Sequence, residues 1–356
     1  MGRFLFGLAR IAGCAVAIAI ATGFPAPSRA ANAGAPATAD APAAADFYRG
    51  HTMFVIIGFP PGGGYDLYAR LLAKHLGQHV PGNPTVIPQN MPGAGSLKAA
   101  NYLYAIAPKD GSVIGTFAHG MGSAPLLGQA RFDANKFAWL GSITKDVMVC
   151  ISWTGSAVKS WNNVMAKQFV FGGVAAGNAP DIYAKLYKNV FGANIRLATG
   201  FPGTNDIALA MQRGEVDGFC GIAWSTIKSQ HANWVKDKKI NVLLQAAPQK
   251  DPDLPDVPLD HEFVRETGQR QVLDFVLASQ IMARPFVAPP GISAERKAML
   301  RDAFEKTTKD PAFLADAKKL SLDVDPVSGA AVDALIASLY ATPKEIVAQA
   351  AKAILN

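Results

Sequence analysis

The sequence predicts an α/β protein built as two lobes, and three observations carry that expectation. Strand-like apolar runs alternate with helix-period segments from about Phe47 onward, the pattern of layered α/β folds. Glycine-rich turns follow a strand and open a helix at four places: Gly62 to Asp66, Gly93 to Ser96, Gly177 to Pro180 and Gly200 to Asn205. The chain has 356 residues, half of them apolar, which is enough for two cores of ordinary size. Because helices link the strands, the sheets are expected to be largely parallel.

The first segment is a processing signal. Met1 to Ala30 combines Arg3 and Arg10 with the apolar run Ile11 to Ala21 and a small-residue cleavage site ending at Ala30, as an export signal does. A rival reading takes Ile11-Ala-Gly-Cys14 as a lipoprotein processing box, but the lead-in is short and Arg10 interrupts the apolar stretch. No later apolar run approaches the ~18 residues that a membrane span requires. Residues 31–46 form an Ala/Pro/Gly leader unable to build a core. The folded part is then expected as a first lobe over 47–148, a second lobe over 149–275, and a return to the first lobe over 276–356.

Within the first lobe, the strand Met53 to Ile57 leads through Phe59-Pro-Pro-Gly-Gly-Gly-Tyr-Asp66 into a helix capped by Asp66 and stopped at Gly77. A strand at Thr85 to Gln89, the turn Asn90 to Gly95 and a helix after Ser96 follow. The strand Ser112 to Phe117 then ends in the loop Ala118-His-Gly-Met-Gly-Ser123. The second lobe repeats the pattern with the strand Gln168 to Phe171, a helix carrying Pro180 in its first turn, the strand Ile195 to Ala198, a helix ending at Gly214, and the strand Val216 to Cys220. Pro252, Pro255 and Pro258 mark an extended loop, and Val272 to Ala283 is an apolar run expected to carry the chain between lobes. Ser293 caps a helix to Lys309, Pro311 starts a short one, and a last helix runs from Gly329 toward the C-terminus.

Loss of the signal removes Arg3, Arg10 and Arg29 and lowers the formal charge from +7 to +4, spread without a basic run. Nucleic acid is therefore excluded as a partner, and anionic ligands are mildly favoured. Of the cysteines, Cys150 and Cys220 remain, either as a disulfide in an oxidising compartment or as two buried thiols.

The candidate site is where the glycine-rich loops meet. Each helix N-terminus, with its free backbone N–H groups, favours an anion by about 0.3–1 kcal/mol, and in open α/β sheets ligands settle at the carboxyl ends of strands. The first loop lacks the Lys-Ser/Thr of a phosphate loop and the spacing of a dinucleotide fingerprint, so a small carboxylate fits better than a nucleotide. Tyr65, Phe201 and Trp224 could stack on a ligand, and Arg196 and Arg213 are the basic residues nearest the second-lobe loops.

His119 invites a competing reading as the acid or base of an exported hydrolase, although the chain holds no Gly-x-Ser-x-Gly elbow. His75 and His79 have a spacing that could hold a metal, but they sit where a helix ends, and interaction with its C-terminus explains them better. No metal and no cofactor is expected.

The series Phe59-Pro-Pro-Gly-Gly-Gly-Tyr-Asp66, Asn90-Met-Pro-Gly-Ala-Gly95, Pro108-Lys-Asp-Gly111, Pro255-Asp-Val-Pro258, Ala288-Pro-Pro-Gly291 and Asp310-Pro311 resembles the Bug family, the TctC-like extracytoplasmic solute receptors of tripartite tricarboxylate transporters. The resemblance covers about residues 50 to 340. It implies a two-lobed type II periplasmic-binding-protein fold that closes on a small organic carboxylate, in a periplasmic, monomeric receptor served by membrane permease subunits. Carried over motif by motif, it implies ligand contacts from Phe59, Gly62, Gly63, Gly64, Tyr65, Asp66, Ala118, His119, Gly120, Met121, Gly177, Asn178, Gly203 and Thr204, with Trp224 added as a nearby aromatic. It implies no catalytic residue. The chain departs from the family at Gly172-Gly-Val-Ala-Ala-Gly-Asn178, which lacks a following His, and at Gly200-Phe-Pro-Gly203, where members often have Pro-Tyr-Lys-Gly. The same fold could also serve a solute sensor for a signalling partner.

Overall fold

Strand β1 (Thr52–Ile57) shows in six residues why both faces of the first sheet are buried. Met53, Val55 and Ile57 pack with Tyr68, Leu72 and Phe286 on one face, while Ile56 joins Leu103 and Phe117 on the other. This period of two, in a β-branched run, is what a central strand covered on both sides requires.

The computed structural model describes residues 46–175 and 177–355. The expected signal over 1–30 with its cleavage at Ala30, the alternative at Cys14, and the leader up to residue 45 lie outside the described residues.

Ten further strands follow among the described residues: β2 (Thr85–Asn90), β3 (Val113–Thr116), β4 (Ala138–Ser142), β5 (Met148–Trp153), β6 (Phe169–Gly172), β7 (Ile195–Ala198), β8 (Gly218–Ala223), β9 (Ile240–Ala246), β10 (Pro285–Ala288) and β11 (Val327–Ser328). They form a six-stranded sheet ordered β11-β4-β10-β3-β1-β2 and a five-stranded sheet ordered β7-β6-β8-β5-β9. The sheets are mixed and not largely parallel. β1 pairs in parallel with β2 and β3, and β6 with β7 and β8, but β10 runs antiparallel to β3 and β4, and β5 antiparallel to β8 and β9. Strands that enter a sheet from the other lobe, with no crossover helix from a neighbouring strand, are free to run the opposite way.

The second sheet repeats the two-sided burial. Val149 and Ile151 of β5 pack with Ile207, Met211 and Trp234, whereas Met148 and Cys150 face a cluster that holds Trp161, Phe171 and Tyr187. Cys150 and Cys220, on adjacent strands β5 and β8, are joined as a disulfide. Trp161 is buried in this lobe, and Trp153 packs edge-on against Trp234 with ring centroids 5.6 Å apart.

Helices formed by the glycine-loop segments span Gly64–Leu76, Leu97–Ala105, Ala179–Phe191 and Thr204–Gln212. The first of these continues past its expected stop as a tight turn over Gly77–His79. Gly77 is right-handed there and is needed because a Cβ would collide with the Pro84 carbonyl. His75 Nε2 and His79 Nε2 reach separate carboxylates, Asp316 at 3.1 Å and Asp310 at 2.9 Å. Among the described residues, no group of three His, Cys, Asp or Glu side chains could hold a metal ion.

The apolar run expected to link the lobes is largely helical, Thr267–Leu277 followed by a tight turn over Ala278–Met282. The segment expected over 276–356 as a return to the first lobe is divided. β10 and β11 join the first sheet, but the expected single last helix breaks at Thr342-Pro343 into Gly329–Tyr340 and Lys344–Leu355. The second of these docks on the second lobe, where Lys185 Nζ donates to Leu355 O (2.8 Å) and Asn189 Nδ2 to Ala353 O (2.7 Å). No described helix is long and apolar enough to cross a membrane.

Candidate functional site

The Gly64–Leu76 helix opens with Gly63 at its N-cap and no side-chain cap, so Asp66 lies inside the first turn. Its carboxylate braces the loop instead. Oδ2 accepts from Gly62 N (2.9 Å) and Arg70 Nε (2.9 Å), and Oδ1 accepts from Asn90 Nδ2 (2.8 Å), which also donates to Phe59 O (2.9 Å). Burial pushes the carboxyl up, but the hydrogen bonds from Arg70, Asn90 and Gly62 outweigh it and hold Asp66 below its usual range. Asp66 therefore shapes the loop, with both carboxylate oxygens engaged.

Beyond the loop, the Phe59 and Tyr65 rings stack with centroids 4.5 Å apart. Tyr65 Oη accepts from His119 N–H (3.0 Å), and the Arg284 guanidinium lies 4.8 Å from the Tyr65 ring centre and 5.3 Å from that of Tyr68. Arg284 Nη2 also reaches Asp146 Oδ2 (3.3 Å) and Thr226 Oγ1 (3.2 Å). His119 Nδ1 is 2.8 Å from Ser279 Oγ. Burial, helped by the Arg284 charge, pushes the His119 imidazole down to about 3, so it is neutral near pH 7.

Between the two sheets lies a cavity of about 370 Å³. Phe59, Gly63, Gly64, Tyr65, Ala118, His119 and Gly120 line it from the first lobe, and Gly177, Asn178, Gly203 and Thr204 from the second. Three helix N-termini, those of Gly64–Leu76, Ala179–Phe191 and Thr204–Gln212, thus face one space.

Four of the expected ligand contacts, and both of the nearby basic residues, do not line it. Gly62 is turned to Asp66, and Asp66 is consumed by the loop. Met121 is 3% exposed and packs in the core. Trp224 packs in the second-lobe core and donates Nε1 to Asp253 (3.3 Å). Arg213 is engaged on the surface with Glu215.

Sequence reasoning missed the cavity's apolar wall and its buried cation. Leu127, Met148, Ile182, Phe275, Val276 and Ile354 line the space, as do Asn205, Thr226 and Arg284. The one signal available for Arg284 was a lone cation in the apolar stretch Ile281-Met-Ala-Arg-Pro-Phe-Val-Ala288.

The lobes touch across the mouth of the cavity. With its amide oxygen facing Gly64, Gln230 accepts from Gly64 N (3.0 Å) and donates to Gly62 O (2.9 Å), and Asn205 Nδ2 lies 3.5 Å from the same carbonyl. The Asn178 side-chain amide rests against Gly95, where a Cβ would overlap it. These contacts describe a closed arrangement in which the protein itself occupies part of the first glycine loop.

No family model matches the sequence, and no curated protein matches it. Solved structures do. The chain is similar to the periplasmic binding protein BugD at 19% identity and a TM-score of 0.65, over 85% of this chain and 98% of that one. It is similar to MatC of Rhodopseudomonas palustris, solved with bound malate, at 18% identity and a TM-score of 0.64, over 83% and 99% of the two chains. A TctC solute-binding protein from Polaromonas aligns at 17% identity and a TM-score of 0.58, over 85% and 99%. Two mixed sheets, an inter-lobe cavity and these alignments agree: the chain has the two-lobed type II fold of the TctC and Bug periplasmic binding proteins.

Proposed function

We propose that this chain is an exported solute receptor that captures a small organic carboxylate between its lobes and delivers it to the permease subunits of a tripartite tricarboxylate-type transporter. The observation that carries the proposal is the convergence of three helix N-termini on one inter-lobe cavity. Oriented backbone N–H groups there favour a bound anion without any catalytic group. The solved proteins of this fold include MatC with malate and a second R. palustris protein with adipate, which supports a carboxylate as the ligand class. In this reading residues 1–30 direct export to the periplasm. The ligand acts by stabilising the closed arrangement through contacts that only that arrangement makes.

The hydrolase reading of His119 finds no support in its surroundings. Its imidazole, held down at about 3, is a poor base near pH 7, and its neighbour Ser279 Oγ (2.8 Å) is a buried hydroxyl that also reaches Val276 O (3.3 Å).

A thermal-shift screen of the mature chain with mono-, di- and tricarboxylates, amino acids and sugars tests the proposal. At a hundred times its Kd, a ligand that binds the folded chain adds about 2.7 kcal/mol, a shift that such a screen detects. At least one carboxylate should raise the melting temperature, and a response to sugars alone would overturn the proposal.

A further inference from the structure

Two tyrosines, one from each lobe, line the inter-lobe cavity. Tyr65 follows the first glycine loop at the start of the Gly64–Leu76 helix, and Tyr183 belongs to the Ala179–Phe191 helix of the second lobe. The two phenols are near enough that a charge on Tyr65 would push Tyr183 up.

A phenolic hydroxyl accepts hydrogen bonds and has one hydrogen of its own to donate. Both hydroxyls already accept: Tyr65 Oη from His119 N (3.0 Å), and Tyr183 Oη from Gln280 Nε2 (2.7 Å). Gln280 sits in the return crossing between the lobes, where its carbonyl also accepts from Asp146 N (3.4 Å). Among the described residues, neither hydroxyl has an acceptor for its own hydrogen. The other fully buried tyrosines differ in this respect. Tyr48 donates to Gly111 O (3.0 Å), Tyr68 to Asp323 O (2.8 Å) and Tyr187 to Asp260 Oδ2 (3.1 Å). None of those three lines the cavity, whereas Tyr183, only 1% exposed, does. A buried donor without an acceptor costs free energy, and for Tyr183 an occupant of the cavity can supply the missing acceptor. Burial pushes both phenols up, so both keep their hydrogens near pH 7.

We propose that Tyr65 and Tyr183 form a hydroxyl clamp in which each donates its phenolic hydrogen to an oxygen of one carboxylate ligand bound in the cavity. This rests on the receptor reading above and assigns the contacts through which the ligand joins the lobes. Because one donor comes from each lobe, the two bonds are made together only when the lobes are closed.

Titration calorimetry of the mature wild-type chain, Tyr65→Phe and Tyr183→Phe tests the clamp, with malate, adipate, citrate, butanoate and benzoate as probes. For the probe that the wild type binds most tightly, each variant should bind about tenfold more weakly, the scale of one hydrogen bond to a charged acceptor. The double variant should bind more weakly than either. Wild-type affinity in either single variant, with native circular dichroism, overturns the clamp while the receptor reading stands. A spectroscopic measurement reads the hydroxyls in the wild type, whether or not a variant folds. With the chain isotope-labelled at tyrosine Cζ, the same probe should move at least two of the eight tyrosine resonances, and no movement on saturation overturns the clamp. If neither these probes nor any carboxylate in the wider screen binds the wild type, the clamp and the receptor reading fall together.

Discussion

Arg284 Nη2 lies 3.3 Å from Asp146 Oδ2, with the two side chains 3% and 4% exposed. Asp146 belongs to the connection from β4 to β5, and Arg284 immediately precedes β10, so the pair ties together the two crossings between lobes. The backbones run side by side there: Ile143 N donates to Arg284 O (3.2 Å), and Asp146 N to Gln280 O (3.4 Å). Asp146 also accepts from the Ser225 hydroxyl, which brings the second lobe's Trp224–Gln230 helix into the same cluster.

Removing the cation leaves Asp146 buried without its partner. Arg284→Met should therefore cost about 3–5 kcal/mol in urea unfolding at pH 7, and adding Asp146→Leu should recover most of it. Burial already pushes the Asp146 carboxyl up against the pull of Arg284, so the single variant's deficit should shrink as the pH falls and the acid takes up a proton. An unchanged unfolding midpoint for Arg284→Met at pH 7 would show that the pair does not hold the crossings.

The bond between Cys150 and Cys220 closes a loop with a sequence separation of 70 residues. On the chain-entropy account, a loop of that length contributes about 4 kcal/mol. Reduction, or the double substitution Cys150→Ala with Cys220→Ala, should lower stability by that order. Thiol titration of the unreduced chain in denaturant should find neither cysteine free, and two reactive thiols would contradict the pairing.

His119 is held neutral, with its imidazole pushed down to about 3 by burial, and His231 is pushed down to about 4 by the same cause. In the unfolded chain both titrate near the ordinary value of about 6.5, so between there and the folded values the unfolded state binds more protons. Stability is full above pH 6.5 and falls on acidification, by about 1.4 kcal/mol per pH unit for the fully buried His119 once below that value and by less for the partly exposed His231. His119→Gln should flatten the slope between pH 6 and 4 by its own share. An equal slope in the variant would place the acid sensitivity elsewhere.

Gln230 spans the lobes to the backbone of Gly62 and Gly64. Gln230→Ala should weaken the closed arrangement by about 1–2 kcal/mol, the worth of two neutral hydrogen bonds, and thereby weaken carboxylate binding roughly five- to thirtyfold. Calorimetry on the two proteins checks this, with identical affinities as the contrary result.

Local grammar was legible in the chain wherever one element decided it. The Thr52–Ile57 strand, the Pro180 helix start and the Ser293 cap, whose hydroxyl accepts from Arg296 N (3.1 Å), follow from residue types within a few positions. The helix starting at Gly64 was displaced from its expected cap because Asp66 found three donors, one of them Asn90 on the neighbouring strand β2, and no local pattern reveals such a partner. The glycine loops identified part of the cavity lining for the same local reason. Its apolar lining was not legible, since Ile182, Phe275 and Ile354 look like ordinary core positions until three distant helices pack together. Antiparallel β10 likewise depends on where the chain re-enters the sheet, a tertiary fact.

The central claim is that a carboxylate is held in a cavity completed by closure of the two lobes. Gly95 sits at φ +63, and a Cβ there would overlap the Asn178 side-chain amide across the cleft, so Gly95→Ala displaces that inter-lobe contact and hinders closure at a position outside the core. Titration calorimetry of wild type and Gly95→Ala, with the carboxylate that stabilises the wild type most, measures that claim directly. The expected result is one ligand per wild-type chain and at least tenfold weaker binding by a variant with unchanged circular dichroism. Equal affinity in the two proteins would contradict the account.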